Sequence, residues 1–424
     1  MYEFPARVFA IVDCASFYAS CERVFKPTLG EIPVVVLSNN DGCVIARSEE
    51  AKDLADMGVP YFQVRERLEQ AGARVFSSNY DLYGDFSRRV MEVLGTFSDE
   101  VQIYSIDEAF LRLPLLKEQD LLSVAHEIRR RVLRWTGVPV RVGIGETKTL
   151  AKAAQALAKS RREAAFSLAC RADVNDLLAT LAVDKLWGIG RRYARFLTAR
   201  GIDTALALRN QPDAWIRRHM SVTALRTVWE LRGIDCLSEP PRSPRQSVLR
   251  SRSFGRKVTE LPELAEAVAT YASRAAEELR RHRMAAQMVQ VFATTRDHRA
   301  GTFFTNTGAT ALPVATDFTP TLIAAAQECL KRIYRPGLRY AKAGVVLLNL
   351  MPADAVQGHL FCPEPPRHAA LMQAVDGINR RMGTDTVYFA PAARDRRRAW
   401  AARSDMKSPS YTTRWSDLPT ASAK

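Results

Sequence analysis

The chain has 424 residues, 47% of them hydrophobic and 25% charged, which is long enough for about three domains and excludes a mainly disordered, collagen-like or coiled-coil protein. Lysine and arginine outnumber aspartate and glutamate by 61 to 46, and the resulting net charge of +15 favours a polyanionic partner such as nucleic acid or an anionic membrane surface. No apolar run reaches the ~18 residues of a membrane span, and the 7 scattered cysteines include no Cys-x-x-Cys pair, which argues against disulfides and a zinc site. We therefore expect a cytoplasmic protein with reduced cysteines.

The first third of the chain alternates strand and helix patterns. Strands are predicted at residues 8–12, 33–37, 101–113 (two strands meeting at a turn) and 138–144. Helices are predicted at residues 16–25, 48–57, 79–94, 119–135 and 147–159. The order is β-α-β-β-α-β with an insertion after the first helix, which is typical of a split-βαβ sheet.

The rest of the chain repeats this order after a helical region. Residues 173–236 are predicted to be mostly helical, and the Pro- and Arg-rich segment that follows indicates a linker. The second β-α-β-β-α-β unit is predicted as strand 248–254, helix 262–283, strands 287–294 and 302–306, helix 319–334 and strand 341–350. The final ~70 residues hold Pro363, Pro365 and Pro366, followed by a basic cluster at 394–398; we expect them to be irregular and to dock on a partner or on the body of the protein.

Acidic residues stand where two of the predicted strands end. Asp13 follows the apolar run 8–12, and Asp107 and Glu108 lie at the turn within 101–113. Both strands would be central in the sheet, where neighbouring carboxylates repel unless a cation neutralises them. Such oxygen ligands suit Mg²⁺, and two ions ~3.5–4 Å apart support phosphoryl transfer. The alternative is that these acids are ordinary solvated turn residues. Neighbours on a regular strand also point to opposite faces, so Asp107 and Glu108 can share a metal only if the turn between the strands twists the chain.

Five segments in order resemble the motifs of the Y-family DNA polymerases. They lie at residues 13–22, 38–47, 76–80, 104–110 and 147–152. Asn-Asn-Asp-Gly-Cys-Val-Ile-Ala-Arg at 39–47 and Lys-Ser-Pro-Ser-Tyr-Thr-Thr-Arg-Trp-Ser-Asp-Leu at 407–418 resemble the UmuC branch, the catalytic subunit of bacterial DNA polymerase V and its plasmid-borne relatives. The resemblance covers nearly the whole chain.

This resemblance implies an α+β, right-hand polymerase architecture. Its parts would be a ferredoxin-like palm, small fingers, a helical thumb with a helix-hairpin-helix, and a β-α-β-β-α-β little finger. The implied boundaries are palm 1–25 and 80–172, fingers 26–79, thumb 173–236, linker 237–247, little finger 248–353, and a C-terminal tail 354–424 for partner binding.

The resemblance also implies an active site. The metal-binding trio falls on Asp13, Asp107 and Glu108, with the backbone carbonyl of Cys14 as a further ligand and two Mg²⁺ ions as cofactor. Tyr18 matches the steric gate, whose ring would leave no room for a ribose 2′-hydroxyl; the alternative is that it packs in the core.

Two lysines, Lys52 and Lys159, match positions that hold the triphosphate, where an ammonium acts as a point charge; the alternative is an ordinary solvated helix face. Ala46 and Glu49 depart from other branches, which carry a threonine and a tyrosine there. Arg47 is a possible substitute for their contacts with the nucleotide.

Two segments are candidate DNA contacts. Gly188 and Gly190 resemble a helix-hairpin-helix turn, whose backbone N–H groups bind phosphates because glycine permits close approach; an ordinary helix-helix turn is the alternative. Arg250 and Arg252 would share one face of a strand and follow the sugar-phosphate backbone, unless they belong to a solvated linker.

Residues 357–361 look like a degenerate sliding-clamp peptide, although such pentapeptides also arise by chance. Gln357 would hydrogen bond at the rim of a pocket, and Leu360 and Phe361 would fill it. The resemblance implies two further partners, a cleaved UmuD-type dimer and RecA, and no membrane.

The predicted function is template-directed DNA synthesis from primer-template DNA and deoxynucleoside triphosphates. The resemblance implies error-prone translesion synthesis in the SOS response of a bacterial cytoplasm. The alternatives are a non-catalytic DNA-binding or recombination-accessory subunit, against which the intact carboxylates argue, and a nucleotide cyclase on a similar palm. A cyclase would have no use for the hairpin turn, the basic linker or the second β-α-β-β-α-β unit.

Overall fold

The structure, a computed structural model, describes residues 7–237, 244–297, 302–360, 367–392 and 400–420. The chain forms two compact units. The first unit comprises Met1–Ser38, Gly42–Pro240 and Met406–Lys424, and the second comprises Asn39–Asp41 and Pro241–Asp405. The boundary at residue 240 lies within the segment that the sequence assigns to a linker.

The first unit contains eight strands and ten α-helices in its described residues. The strands are β1 (Arg7–Cys14), β2 (Val34–Leu37), β3 (Val44–Arg47), β4 (Arg74–Ser77), β5 (Val101–Ile103), β6 (Glu108–Pro114), β7 (Val140–Gly145) and β8 (Ala165–Ser167). The helices are α1 (Phe17–Val24), α2 (Tyr61–Gln70), α3 (Tyr80–Leu94), α4 (Glu118–Thr136), α5 (Lys148–Ser160), α6 (Val174–Thr180), α7 (Arg191–Thr198), α8 (Ala205–Arg209), α9 (Asp213–His219) and α10 (Val222–Leu231).

Strand β1 is the centre of a five-stranded sheet with the order β5-β6-β1-β7-β8. It runs antiparallel to β6 and β7. Its apolar residues face both ways, as expected for a strand covered on two sides. Val8 and Ala10 join the core beneath α3 and α4, whereas Phe9 and Ile11 pack with Ala151 of α5.

Glycine permits the close contact between β7 and α5. A Cβ on Gly143 would lie 2.4 Å from the backbone nitrogen of Gln155, and one on Gly145 would lie 2.4 Å from that of Ala151. The start of α5 is held by the buried carboxylate of Glu230 in α10, which accepts a hydrogen bond from the Thr149 N–H at 2.9 Å. A carboxylate there also suits the positive end of the helix dipole.

A smaller sheet, β3-β2-β4, lies in the insertion after α1. The predicted helix at 48–57 is wrong: only Glu49–Ala51 form one 3₁₀ turn. The guanidinium of Arg47 donates to the carbonyls of Lys52, at 2.8 Å, and Ala55. Because these carbonyls are satisfied by a side chain, the segment does not need helical hydrogen bonds.

The second unit contains four long strands and three helices in its described residues. They are β9 (Ser247–Val258), α11 (Leu261–Arg281), β10 (Met284–Asp297), β11 (Thr302–Thr316), α12 (Thr319–Ile333), β12 (Tyr340–Pro352) and α13 (Arg367–Met382). The sheet order is β11-β10-β12-β9, with every neighbouring pair antiparallel. The apolar faces of α11 and α12 pack against this sheet, so the predicted β-α-β-β-α-β order is confirmed.

The expectation of an irregular tail is wrong for α13. Its buried Met372 packs inward, Asp376 accepts from Arg280 at 2.7 Å, and the ring of His368 stacks on Phe318 at 3.6 Å. The prolines that suggested an irregular tail precede the helix, where they do not interrupt its hydrogen bonds. Trp400, 5% exposed, also joins the core of this unit. None of the helices in the described ranges is both long and apolar enough to cross a membrane.

Candidate active site

The three predicted carboxylates lie at one edge of the central sheet. Asp13, near the end of β1, is directly opposite Glu108, the first residue of β6. The N–H of Cys14 donates to the carbonyl of Asp107 at 2.9 Å. Strand pairing therefore brings together acidic residues that are far apart in sequence.

Strand alternation separates the roles of Asp13 and Cys14. The side chain of Cys14 is 3% exposed and belongs to the core under α3 and α4, whereas Asp13 points to the opposite face of β1 because neighbours alternate. Burial raises the pKa of the Cys14 thiol, and the nearby acids raise it further. Only the backbone carbonyl of Cys14 is therefore suited to join the carboxylates as a ligand.

The ionised form of Asp13 is destabilised by its surroundings. Burial, and then the charges of Glu108 and Asp107, raise the pKa of Asp13 to about 6, although Lys152 and Lys159 pull it down. A bound cation would remove this penalty because it favours the charged form. The donor set, three carboxylates and a carbonyl, consists of the hard oxygen ligands that Mg²⁺ prefers.

Two of the carboxylates are turned toward protein partners. Asp107 accepts a hydrogen bond from the hydroxyl of Ser105 at 2.6 Å, and Glu108 accepts from Lys152 at 2.7 Å and from Gln155 at 3.4 Å. Within the described ranges, no three histidine, cysteine, aspartate or glutamate side chains are arranged to hold a metal ion. The side chains of Asp107 and Glu108 would therefore have to rotate away from these partners for all three carboxylates to bind one metal ion.

Lys152 and Gln155 were not singled out from the sequence. They lie on α5 together with Lys159, at the i, i+3 and i+7 spacing that puts residues on one helix face. The ammonium of Lys152 also lies 5.1 Å from the ring centroid of Tyr104. The periodicity of basic and polar residues along α5 was the signal that could have identified this face.

The ring of Tyr18 stacks on the ring of Tyr83. Their centroids are 4.3 Å apart with 14° between the planes, and Tyr80 meets Tyr18 edge-on at 6.1 Å. Tyr18 is partly buried, whereas Tyr83 is fully buried. Tyr80 and Tyr83 were not predicted as neighbours of Tyr18 from the sequence. Tyr80 lies in the motif at 76–80, and Tyr83 lies one helical turn after it.

The two candidate triphosphate lysines are placed differently. Lys159 is exposed in the last turn of α5, and its positive charge lowers the pKa of Asp13. Lys52 ends the 3₁₀ turn and pairs with Glu49, the closest N–O distance being 2.5 Å. The guanidinium of Arg47 is occupied by the carbonyls of its own loop, so it is poorly placed to substitute in nucleotide binding.

The glycines of the predicted hairpin turn come just before α7. Gly188 has φ +86°, a conformation that favours glycine. Gly190 is the N-cap residue of α7, and Ile189 between them is buried. The element before the turn is a 3₁₀ turn at Val183–Lys185 rather than a regular helix.

Arg250 and Arg252 lie on β9, on the same face as the buried Val248 and Phe254. The guanidinium of Arg250 pairs with Glu278 of α11 at 2.6 Å. Arg252 is exposed and donates to a neighbouring carbonyl. The two arginines thus share a face, but a carboxylate already neutralises one of them.

The candidate clamp peptide follows β12. Gln357 and Leu360 are exposed, Leu360 at 87%. Phe361 lies outside the described residues, as does the basic cluster at 394–398.

Comparisons with known proteins identify the family of the chain. Residues 12–156 match the impB/mucB/samB family, 245–360 match its C-terminal domain, and 369–421 match DUF4113, a domain of unknown function. Protein UmuC of Salmonella typhimurium is 44% identical over 97% of this chain and 99% of its own length. DNA polymerase IV of Moorella thermoacetica is 29% identical over 90% of this chain and 94% of its own.

The solved structures include a Y-family DNA polymerase chimera, Dbh-Dpo4(243-245)-Dbh. It has a TM-score of 0.60 at 21% identity and covers 81% of this chain and 99% of its own, which confirms the predicted fold. The family matches and the nearly full-length match to UmuC show that the chain belongs to the impB/mucB/samB family, the UmuC branch of the Y-family DNA polymerases.

Proposed function

We propose that the chain extends a primer on a DNA template by using Asp13, Asp107 and Glu108 to hold two Mg²⁺ ions. The activity of an error-prone translesion DNA polymerase follows from membership of the family. The observation that carries the residue assignment is the pairing of Asp13 with Glu108 across β1 and β6. The backbone carbonyl of Cys14 completes the donor set.

Each residue has a distinct role in this proposal. When bound, the ions would activate the primer 3′-hydroxyl and neutralise the phosphates of the incoming nucleotide. Lys152 pairs with Glu108, which must rotate away from this lysine to reach the ions. Lys159, near Asp13, and Lys52 supply positive charge to the triphosphate, and the ring of Tyr18 excludes a ribose 2′-hydroxyl.

The partners follow from charge, exposure and the family resemblance. Primer-template DNA would bind the turn at Gly188 and Gly190 and the exposed Arg252, with a smaller contribution from the paired Arg250. A sliding clamp would bind the peptide at 357–361, in which Leu360 is exposed. A cleaved UmuD-type dimer and RecA are the further partners in an SOS response.

Replacement of one carboxylate tests the residue assignment. Asp13→Asn should lower single-nucleotide primer extension at least about a hundredfold, because the lost charge weakens metal binding where several kcal/mol of stabilisation are needed. Steady-state kinetics with Mg²⁺ measure this loss. The matched control is Asp120→Asn, which removes a carboxylate from the exposed first turn of α4 and should leave extension unchanged. Undiminished activity of Asp13→Asn would refute the assignment.

A further inference from the structure

Residues near the C-terminus belong to the same unit as the carboxylates. Lys407 forms a β-bridge with Ser77 of β4, and the N–H of Met406 donates to the hydroxyl of Ser77 at 3.0 Å. Four residues later, the ring of Tyr411 stacks on Phe25 at 4.4 Å. These contacts fix both ends of a short segment, residues 406–411, which we call the C-terminal segment.

The centre of the C-terminal segment reaches a buried carboxylate. The hydroxyl of Ser408, itself 5% exposed, donates to the Oε1 atom of Glu22 at 3.0 Å. The same Oε1 atom accepts from the hydroxyl of Tyr83 at 2.7 Å. Asn79 in turn donates to the Ser408 hydroxyl at 2.9 Å, so the serine is held from two sides.

The network leads from Glu22 to the ring of Tyr18. Glu22 and Tyr18 both lie on α1, and Tyr83 connects to each of them: by its hydroxyl to Glu22 and by its ring face to Tyr18. Tyr83 is fully buried and so has few other positions to adopt. Two hydroxyl donors on one carboxylate oxygen, followed by one ring stack, therefore connect Ser408 with Tyr18.

We propose that the C-terminal segment, through Ser408, is a positioning element that fixes the ring of Tyr18 and thereby sharpens discrimination between deoxyribonucleotides and ribonucleotides. The inference rests on the proposed role of Tyr18 as the sugar gate. It assigns to part of the DUF4113 region, matched over residues 369–421, a role in substrate choice in the first unit.

The expected effect follows from the hydrogen bonds. A buried carboxylate that loses one of its donors is satisfied less well, and a small shift of Glu22 and Tyr83 would relieve part of this cost. Movement of Tyr83 unstacks Tyr18. Since one hydrogen bond contributes roughly a threefold to tenfold factor to an equilibrium, we expect a roughly threefold to tenfold fall in sugar discrimination when Ser408 loses its hydroxyl.

The experiment uses the full chain and measures kcat/KM for a deoxynucleotide and its ribonucleotide in single-nucleotide primer extension. Ser408→Ala should lower the ratio of the two values, mainly by improving ribonucleotide use, while kcat for the deoxynucleotide changes little. Tyr83→Phe, which removes only the hydroxyl that binds Glu22, should do the same. Because both act through one carboxylate, the double variant should lose less than the product of the single losses.

The control variant is Thr413→Ala, which removes an exposed side chain just beyond the same segment and should leave the ratio unchanged. Unchanged ratios in both Ser408→Ala and Tyr83→Phe, or equal losses for both nucleotides, would overturn the inference. If Ser408→Ala does not fold, as judged by thermal unfolding, Tyr83→Phe decides by the same criteria.

Tyr18→Ala separates this inference from the proposed function. A wild-type chain that extends no primer, or a Tyr18→Ala variant with normal discrimination, contradicts the proposed function and with it the inference. The inference alone is contradicted if Tyr18→Ala accepts ribonucleotides while Ser408→Ala and Tyr83→Phe keep normal discrimination.

Discussion

At the scale of single residues, Glu278 shows how one carboxylate organises a basic surface. Its oxygens accept hydrogen bonds from Arg245 at 2.8 Å, Arg250 at 2.6 Å, Arg281 and His282, and its side chain is only 7% exposed. Burial opposes ionisation of Glu278, but the hydrogen bond from Arg281 and the charges of Arg250 and Arg281 prevail and lower its pKa to about 2. The ionised carboxylate therefore stabilises the second unit.

This low pKa gives the free energy of unfolding a defined pH dependence. A carboxyl whose folded pKa lies below the ordinary 4.5 stabilises the fold fully above that pH, and the stabilisation is lost as the pH falls toward 2. We expect about 1–2 kcal/mol, since the partly exposed arginines are screened by solvent. Urea unfolding of the wild type and Glu278→Gln should show a gap at pH 6 that narrows below pH 4.5 and closes near pH 2; a gap that does not vary with pH would contradict the assignment.

At the scale of elements, the close contact of β7 with α5 controls where the basic face of α5 lies. Gly145→Ala would place a Cβ 2.4 Å from the backbone of Ala151, so α5 must shift and carry Lys152 and Lys159 with it. We expect a loss of about 1–3 kcal/mol in the free energy of unfolding and reduced primer extension. Chemical denaturation and extension kinetics measure the two effects.

The matched control is another glycine on an element of the same unit. Gly84 is exposed on α3, and a Cβ there meets nothing within 4 Å. Gly84→Ala should raise the free energy of unfolding by about 0.5–1 kcal/mol because alanine favours the helix. If both variants shift stability in the same direction, close packing of β7 on α5 is not what requires glycine at 145.

The elements that the sequence predicted well are those with a strong apolar period. Strands β1 and β7 and helices α4 and α11 were predicted within a few residues, because buried faces leave a clear pattern. The prediction fails where a side chain replaces helical hydrogen bonds, as Arg47 does for residues 52–55, and where prolines precede a helix, as before α13. Strand β11 extends to Thr316, ten residues beyond the prediction, although Leu312 and Ala315 are buried there. Gly308 and Pro313 interrupt the apolar alternation of this stretch, so the sequence pattern ends early.

The site was predictable in part for similar reasons. The residues Asp13, Asp107 and Glu108 stand out since acids at strand ends are costly without a cation. Their partners Ser105, Lys152 and Gln155 were not predicted. The helical period groups Lys152 with Gln155 on one face of α5, but it does not show that this face contacts Glu108. The contact of Ser408 with Glu22 joins positions 386 apart, and only the folded chain reveals it.

At the scale of the whole molecule, the net charge of +15 predicts strongly salt-dependent DNA binding. The logarithm of the affinity for duplex DNA should fall by about 0.9 per logarithmic unit of salt for each phosphate neutralised. Arg252→Ala should make this slope shallower by about 0.9, whereas Arg250→Ala should change it less because Glu278 already neutralises Arg250. Fluorescence anisotropy titrations at several salt concentrations measure the slopes. Salt-independent binding, or equal changes in both variants, would contradict the prediction.

The docking of Ser408 and Tyr411 also has a consequence for biosynthesis. When Glu22 leaves the ribosome, its serine partner is 386 codons away, a delay of roughly 20 to 80 seconds at roughly 5–20 residues per second. Throughout that interval the first unit lacks the ring that stacks on Phe25 and one hydrogen-bond donor to its buried Glu22. A chain that stops before residue 408 therefore contains Asp13, Asp107 and Glu108 but lacks these contacts, and we expect it to be less stable and more sensitive to proteases.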